Sequence, residues 1–370
     1  MDVSSEFIHS LLPVFMASVL GASMATIGIL EGIAEATAAI TKVFSGALSD
    51  YLGKRKPVLV SGYAMAALTK VVFPLAPSIG WVFGARFIDR VGKGIRGAPR
   101  DALVADITPP HLRGAAYGLR QALDSVGAFI GPILAIAFMA VFANDIRAAM
   151  WVAVFPAFIT VALLLFCLRE PKHAEAHAGK PPLVLSDVMR LPAPYWFVVI
   201  LGAVFTLARF SEAFLVLRAQ NVGLALGYVP LVMIVMNVCY AGFAYPAGIA
   251  ADRMSHRSLL LAGLVLLIAA AIVLAMVGTP IGALSGAALW GLHMAFTQGL
   301  FAKLVADVSP STLRGTAFGI FNLVSGVALL LASTLAGVLW SRFGPSATFL
   351  AAAGFAVLVA LGLFARPVKG

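Results

Sequence analysis

Residues 103–118, LVADITPPHLRGAAYG, return 201 positions later as residues 304–319, LVADVSPSTLRGTAFG, with ten of sixteen positions identical. A second pair, GALSDYLGKRKPVL at 46–59 and GIAADRMSHRSLLL at 248–261, recurs at an offset of 202. Two matches at nearly one spacing are the mark of a duplicated half, so whatever this chain folds into must be built twice and joined.

What is duplicated follows from the apolar runs. Only 11% of the 370 residues are charged and 61% are hydrophobic, against about a quarter charged in an ordinary soluble domain. Runs of about 20 apolar residues divided by short polar breaks predict membrane-spanning helices, and the absence of strict alternation argues against a barrel. Twelve are expected, near 3–20, 23–50, 57–76, 78–105, 112–142, 147–168, 193–217, 226–251, 258–277, 281–306, 313–340 and 346–365. The predicted fold is all-α and integral to the membrane, with domains at 1–168 and 193–370 and a cytoplasmic linker at 169–192. Six helices per copy is an even number, so both copies enter and leave on one side. The halves are therefore parallel pseudo-repeats, an arrangement used for alternating access.

The net charge of +10 resembles a nucleic-acid footprint until its distribution is read. Lys54, Arg55 and Lys56, then Arg113, Arg169, Lys172, Arg253, Arg257, Arg314 and Arg366 all fall on one set of loops. The opposite loops hold little beyond Arg147, Arg218 and Arg342. This positive-inside bias places both termini in the cytoplasm and assigns the basic residues to topology, with no nucleic-acid partner. The expected location is a bacterial inner membrane. The start, MDVSSEF, has no basic region of the kind that opens a secretory signal. Cys167 and Cys239 stand alone in apolar helices and read as packing residues.

At this point the residues resemble a known family. GALSDYLGKRK is similar to the loop 2–3 signature of the major facilitator superfamily, matching at Gly46, Asp50, Gly53, Lys54 and Arg55, with Tyr51 in place of the usual arginine. The second copy keeps Gly248, Asp252, Arg253 and Arg257 but has Ser255 for a glycine. The resemblance implies a latch that holds the cytoplasmic gate. GAFIGP at 127–132 resembles the helix 5 antiporter motif of the same family through Gly127, Gly131 and Pro132, with Ala135 and Ile136 replacing a glycine pair that often follows. Small residues there allow close helix approach. A broader likeness to bacterial drug-efflux-like members rests on RFIDRVGKGIRGAPRDALVAD.

Charges inside predicted spans carry the functional reading, because each costs several kcal/mol unless it pairs or lines a cavity, roughly. On helix 4, Arg86, Asp89, Arg90, Lys93, Arg96 and Arg100 fall on one stripe, which must face the interior. Helix 2 carries Glu31 and Glu35; helix 5 carries Arg120 and Asp124 at i, i+4 spacing. Glu35, Asp124, Glu31 and Asp89 are candidates for proton coupling, or structural counter-ions to helix 4. Arg86, Arg90 and Arg120 are candidates for the substrate cavity. In the family, helices 1, 4, 7 and 10 line that cavity, which adds Arg209, Glu212 and His293. Lys70, deep in helix 3, has no evident role.

No Walker-type loop, zinc-spaced cluster or nucleophile elbow is present, so neither an enzyme, a metal site nor a cofactor is expected. The energy source expected is an ion gradient, protons first. The function expected is secondary transport of a small solute by proton-coupled efflux; proton symport or uniport of an anionic metabolite is the alternative, and a non-transporting membrane sensor a third. One monomer holds both repeats and is sufficient in principle.

Overall fold

The structure is a computed structural model that describes residues 1–52, 55–109, 112–168, 188–253, 255–297, 300–310 and 313–365. All regular structure among them is helical. In the first half, α1 is Asp2–Val14, α2 Met24–Leu52, α3 Arg55–Leu75, α4 Ile79–Ile107 and α5 Arg113–Val141. The sixth, α6, runs through Ile146–Met150, a 3₁₀ turn at Trp151–Ala153, and Val154–Phe166. In the second half, α7 comes in two pieces, Ala193–Leu207 and Ala213–Asn221, followed by α8 at Leu231–Arg253 and α9 at His256–Met276. Then come α10, described as Pro280–Thr297 and Leu300–Val308, α11 at Arg314–Phe343 and α12 at Pro345–Ala365.

The duplication is visible in the helix bounds. Arg55–Leu75 and His256–Met276 begin and end 201 residues apart, and so do the start of α4 at Ile79 and of α10 at Pro280, their ends at Ile107 and Val308, and the starts of α5 and α11 at Arg113 and Arg314. One offset thus governs two helices and three loops.

Two departures from the expected spans occur on helices thought to line the cavity. Helix α1 gives way after Val14 to a π turn at Phe15–Val19. The turn follows Pro13, a residue with no amide to donate to the ladder. Helix 7, expected to be continuous over 193–217, is interrupted at residues 208–212. Seven segments among the described residues are long and apolar enough to cross a membrane, on α3, α5, α6, α8, α9, α11 and α12. The others include α1 and α7, which are broken, and α4, whose 29 residues hold the charged stripe. Phe155, Phe166 and Phe364 are all more than half exposed, as are Leu358, Val265 and Ile281. Such a surface is tenable only against lipid.

The chain divides into two compact units, residues 1–12 with 33–184, and residues 13–32 with 185–370. In the second unit the segment 13–32 is held by hydrogen bonds: the Ser211 hydroxyl donates to Glu31 at 3.3 Å, and the Ala25 amide donates to Ser341 Oγ at 3.0 Å.

In the first unit α3 and α4 cross at two glycines. A Cβ on Gly62 would lie 2.8 Å from the Gly92 carbonyl oxygen, and one on Gly92 would lie 2.6 Å from that of Gly62. Only hydrogen fits at that crossing. Cationic side chains close the helix ends: Lys56 Nζ donates to the carbonyls of Leu165 and Leu168 at 2.8 and 2.6 Å, at the C-terminus of α6. Arg147 donates to Pro74 O at 2.8 Å, at the end of α3. In the second unit Arg218 does the same for α9, donating to Leu274 O at 2.8 Å. These residues satisfy the orphan carbonyls and the negative end of the helix dipole. Their place near the helix ends is therefore structural as well as topological.

Replacing Gly62 or Gly92 with leucine should cost ~1–3 kcal/mol by overpacking. Gly84→Ala, on the same helix with nothing within 4 Å of the added carbon, should be neutral or slightly stabilising. Thermal unfolding of purified protein in detergent, followed by intrinsic fluorescence, checks this; equal melting temperatures for all three variants would refute the crossing.

Candidate functional site: a buried ion-pair mesh

The crossing of α3 and α4 sets the centre of the first unit. It brings Lys70 beside Asp89, with Nζ donating to Oδ1 at 2.9 Å; both residues are 1% exposed. The other carboxylate oxygen of Asp89 takes Arg90 Nη2 at 2.9 Å. Arg90 reaches onward through Nη1 to Glu35 Oε1 on α2 at 3.1 Å, and Arg86 approaches the same oxygen at 3.7 Å. Three cations and two carboxylates therefore form one mesh across α2, α3 and α4, carrying one net positive charge. Arg86 and Arg90 are almost wholly buried. Phe83, Phe87 and Ile88 lie exposed on the rest of α4, and Arg86, Asp89, Arg90 and Arg96 of the charged stripe turn inward, whereas Lys93 is exposed. Lys70, without a role in the sequence, is the main partner of Asp89. A lone lysine in an apolar helix was the available signal.

Nearly three turns further along α4 lies a second cluster. Arg100 approaches Asp124 of α5 with Nη1 and Nη2, each at 3.4 Å. Arg120 donates to Asp101 at 3.0 Å and approaches Asp124 at 3.6 Å. The Arg120–Asp124 pair is thus in place, but its shortest bond crosses to α4 through Asp101, a residue the sequence reading passed over. Asp2 of α1 stands close to Asp124, acid beside acid. Arg96, between the clusters, lays its guanidinium 4.7 Å over the Tyr63 ring.

The small residues of α5 act at the same place. A Cβ on Gly127 would come within 2.8 Å of Asp2 Cβ, and one on Gly131 within 2.8 Å of both the Phe7 amide nitrogen and the Val3 carbonyl oxygen. Gly127 and Gly131 are thus where α1 crosses α5, with Pro132 buried beside them.

The remaining candidates lie in the second unit. Glu31, fully buried, accepts from Ser211 in the break of α7. Arg209 is in the same break, its guanidinium 5.7 Å from the Phe205 ring centre. Glu212 precedes the second piece of α7. His293 on α10 is fully buried, and its Nδ1 lies 2.9 Å from the Gly263 carbonyl of α9. In the latch motifs, Gly53 and Lys54 lie outside the described residues, as do the side chains at Gly46, Asp50 and Asp252. Arg55 opens α3, and Arg257 stacks 4.9 Å over Phe364 of α12.

The family profile of the Major Facilitator Superfamily matches residues 2–236 and 212–370, so it spans nearly the whole chain. The chain is 31% identical over 368 residues to an uncharacterized MFS-type transporter of Methanocaldococcus jannaschii, covering 97% of this chain and 90% of that one. It is 31% identical to the multidrug resistance protein MdtH of Yersinia enterocolitica over 129 residues, 34% of this chain and 31% of the relative. Among solved structures, a POT family transporter in complex with 5-aminolevulinic acid superposes with a TM-score of 0.81 at 12% identity, over 98% of this chain and 93% of that one. The nucleoside transporter NupG gives a TM-score of 0.78 at 14% identity, over 98% and 95%. The fold is that of a secondary transporter whose second half repeats the first, and not of an enzyme. The chain belongs to the Major Facilitator Superfamily.

Asp89→Asn should destabilise the first unit by ~3–5 kcal/mol, because the Lys70 charge is left buried without its carboxylate. Lys70→Met combined with Asp89→Asn should recover at least half of that loss. Melting temperatures of the two single variants and the double variant, in detergent, form the test; strictly additive losses would show that the two groups are not coupled.

Proposed function

We propose that this protein is a proton-coupled secondary transporter that exports a small organic solute by alternating access, with Asp124 as the group that exchanges the proton. The placing of Asp124, with a second acid close by and its bases held off, carries this reading. Like charges held side by side disfavour full ionisation of both. The site is not sealed: the side chain of Asp124 is 27% exposed and its cationic neighbours stand off at 3.4–3.6 Å. Asp89, by contrast, is enclosed by two cations at 2.9 Å. We assign Asp89 and Glu35 as counter-ions that fix α4, and Glu31 to the break in α7.

Coupling has a short path. Asp124 is one turn before Gly127, where α1 crosses α5, so protonation changes the charge beside a crossing with no spare room. The likeness of part of the chain to a multidrug resistance protein and the Gly-x-x-x-Gly-Pro motif support the outward direction. In this reading the energy source is the proton gradient and no cofactor takes part. The domains are 1–168 and 193–370 with 169–192 as linker, both termini face the cytoplasm of a bacterial inner membrane, and a monomer suffices. Uptake of an anionic metabolite is favoured instead by the net positive charge of the mesh on α4.

Inverted membrane vesicles with a respiration-driven proton gradient and a pH-sensitive dye test the assignment against a panel of organic anions and lipophilic cations. Wild type should release protons on addition of a transported solute. Asp124→Asn should lower that signal at least tenfold while Glu35→Gln, if it folds, keeps most of it. Full proton release by Asp124→Asn would remove Asp124 from the coupling step.

A further inference from the structure

The offset of 201 residues lets the two units be compared position by position. Asp89 corresponds to Trp290, Gly92 to His293 and Gly62 to Gly263. The correspondence holds in space: Gly62 packs on Gly92 and Arg96, and Gly263 packs on Thr297 and the His293 backbone, with Thr297 the counterpart of Arg96. The partners that satisfy Asp89 in the first unit do not recur. Lys70 corresponds to Ala271, Arg86 to Ala287 and Arg90 to Gly291.

The second unit therefore keeps polar groups at the mesh position but has lost the side chains that would answer them. Trp290 is 1% exposed and His293 0%. Trp290 Nε1 and His293 Nε2 are buried with no hydrogen-bond partner among the described residues, and so is Nε of Arg209. A buried polar atom left unmatched is destabilising, so three within two facing helices is a large standing penalty.

The three are grouped. Phe205 carries the Arg209 guanidinium on its ring and packs 5.6 Å from the His293 ring; Phe210 packs 5.6 Å from Trp290; the Trp290 and His293 rings are 6.3 Å apart. All lie at the interruption of α7, where residues 208–212 leave the helix. Unwound backbone inside a bundle is tolerated where it is buried in protein or lines a cavity, and transporter sites are built at such breaks. Arg209 as a residue is part-exposed, although its Nε is buried.

The donor pattern defines the ligand. A carbonyl can only accept, so His293 Nδ1 carries the proton it gives to Gly263, and Nε2 of the neutral ring is an acceptor directed away from α9. Trp290 Nε1 and Arg209 Nε are donors. We infer that the break of α7, with Arg209, Trp290 and His293, is a binding site for a small hydroxy acid with an apolar or aromatic body. Its carboxylate takes the hydrogens of Arg209 and Trp290, its hydroxyl donates to His293 Nε2, and its body lies against Phe205 and Phe210. This deepens the transport reading by naming a substrate class, yet it stands on binding alone.

Mandelate is the probe, compared with phenylacetate, which lacks the hydroxyl, and with 1-phenyl-1,2-ethanediol, which lacks the carboxylate. Binding is measured at equilibrium by calorimetry on the whole protein in detergent, with no gradient, so the outcome is independent of whether transport is proton-coupled. Mandelate should bind wild type at least tenfold tighter than either analogue. Trp290→Phe, which keeps the ring and loses the donor, should weaken mandelate at least fivefold. His293→Asn, which keeps a donor for Gly263 and loses Nε2, should abolish the preference for mandelate over phenylacetate. Equal binding of the three compounds, no binding of mandelate, or unchanged binding by both variants would each overturn the site.

Discussion

The contact between Lys70 and Asp89 is the constraint from which the first half of the molecule is arranged. Neither charge is tenable alone in a bilayer, and each is tenable beside the other only if α3 and α4 approach to glycine distance. The crossing at Gly62 and Gly92 meets that demand. Once it is made, Arg90 is fixed by Asp89, Glu35 by Arg90, and α2 is tied to α4 through a carboxylate. A helix carrying six ionisable residues on one stripe is thus anchored to two neighbours by ion pairs.

The second half solves the same packing problem without the charges. Helices α9 and α10 cross where α3 and α4 do in the first unit, but Gly263 there meets Thr297 and the backbone of His293, and the polar groups nearby belong to aromatic rings. A duplicated chain is free to diverge in this way because each copy still folds on the crossing it inherited. One copy then keeps its charge internally balanced, and the other leaves donors for something else to occupy.

Much of this was legible in the sequence. The duplication, the helix count and the inward stripe on α4 all follow from period and composition, and the family follows from its loop signatures. Glu35 could be matched to helix 4 because charges of opposite sign at similar depth must meet. What was not legible depends on rotation and break points. Lys70 could not be given its partner, since nothing in α3 alone says which face meets α4. Asp101 was passed over because it sits near a predicted helix end, where charges are ordinary. The interruption of α7 was missed because FTLARFSEAF contains neither glycine nor proline. The break is stabilised from outside, by Ser333, whose hydroxyl accepts the Ser211 amide at 3.1 Å.

The equal bounds of α3 and α9 have a consequence for the membrane itself. Each is 21 residues long, which at about 1.5 Å per residue is roughly 31 Å, close to the thickness of a typical hydrocarbon core. Their ends are pinned by Arg147 and Arg218, so neither helix can lengthen by unwinding a cap without losing a charged hydrogen bond. The two copies thus carry a matched pair of fixed-length struts. In a thicker bilayer both would be too short by the same amount, and the lipid, not the protein, would have to deform.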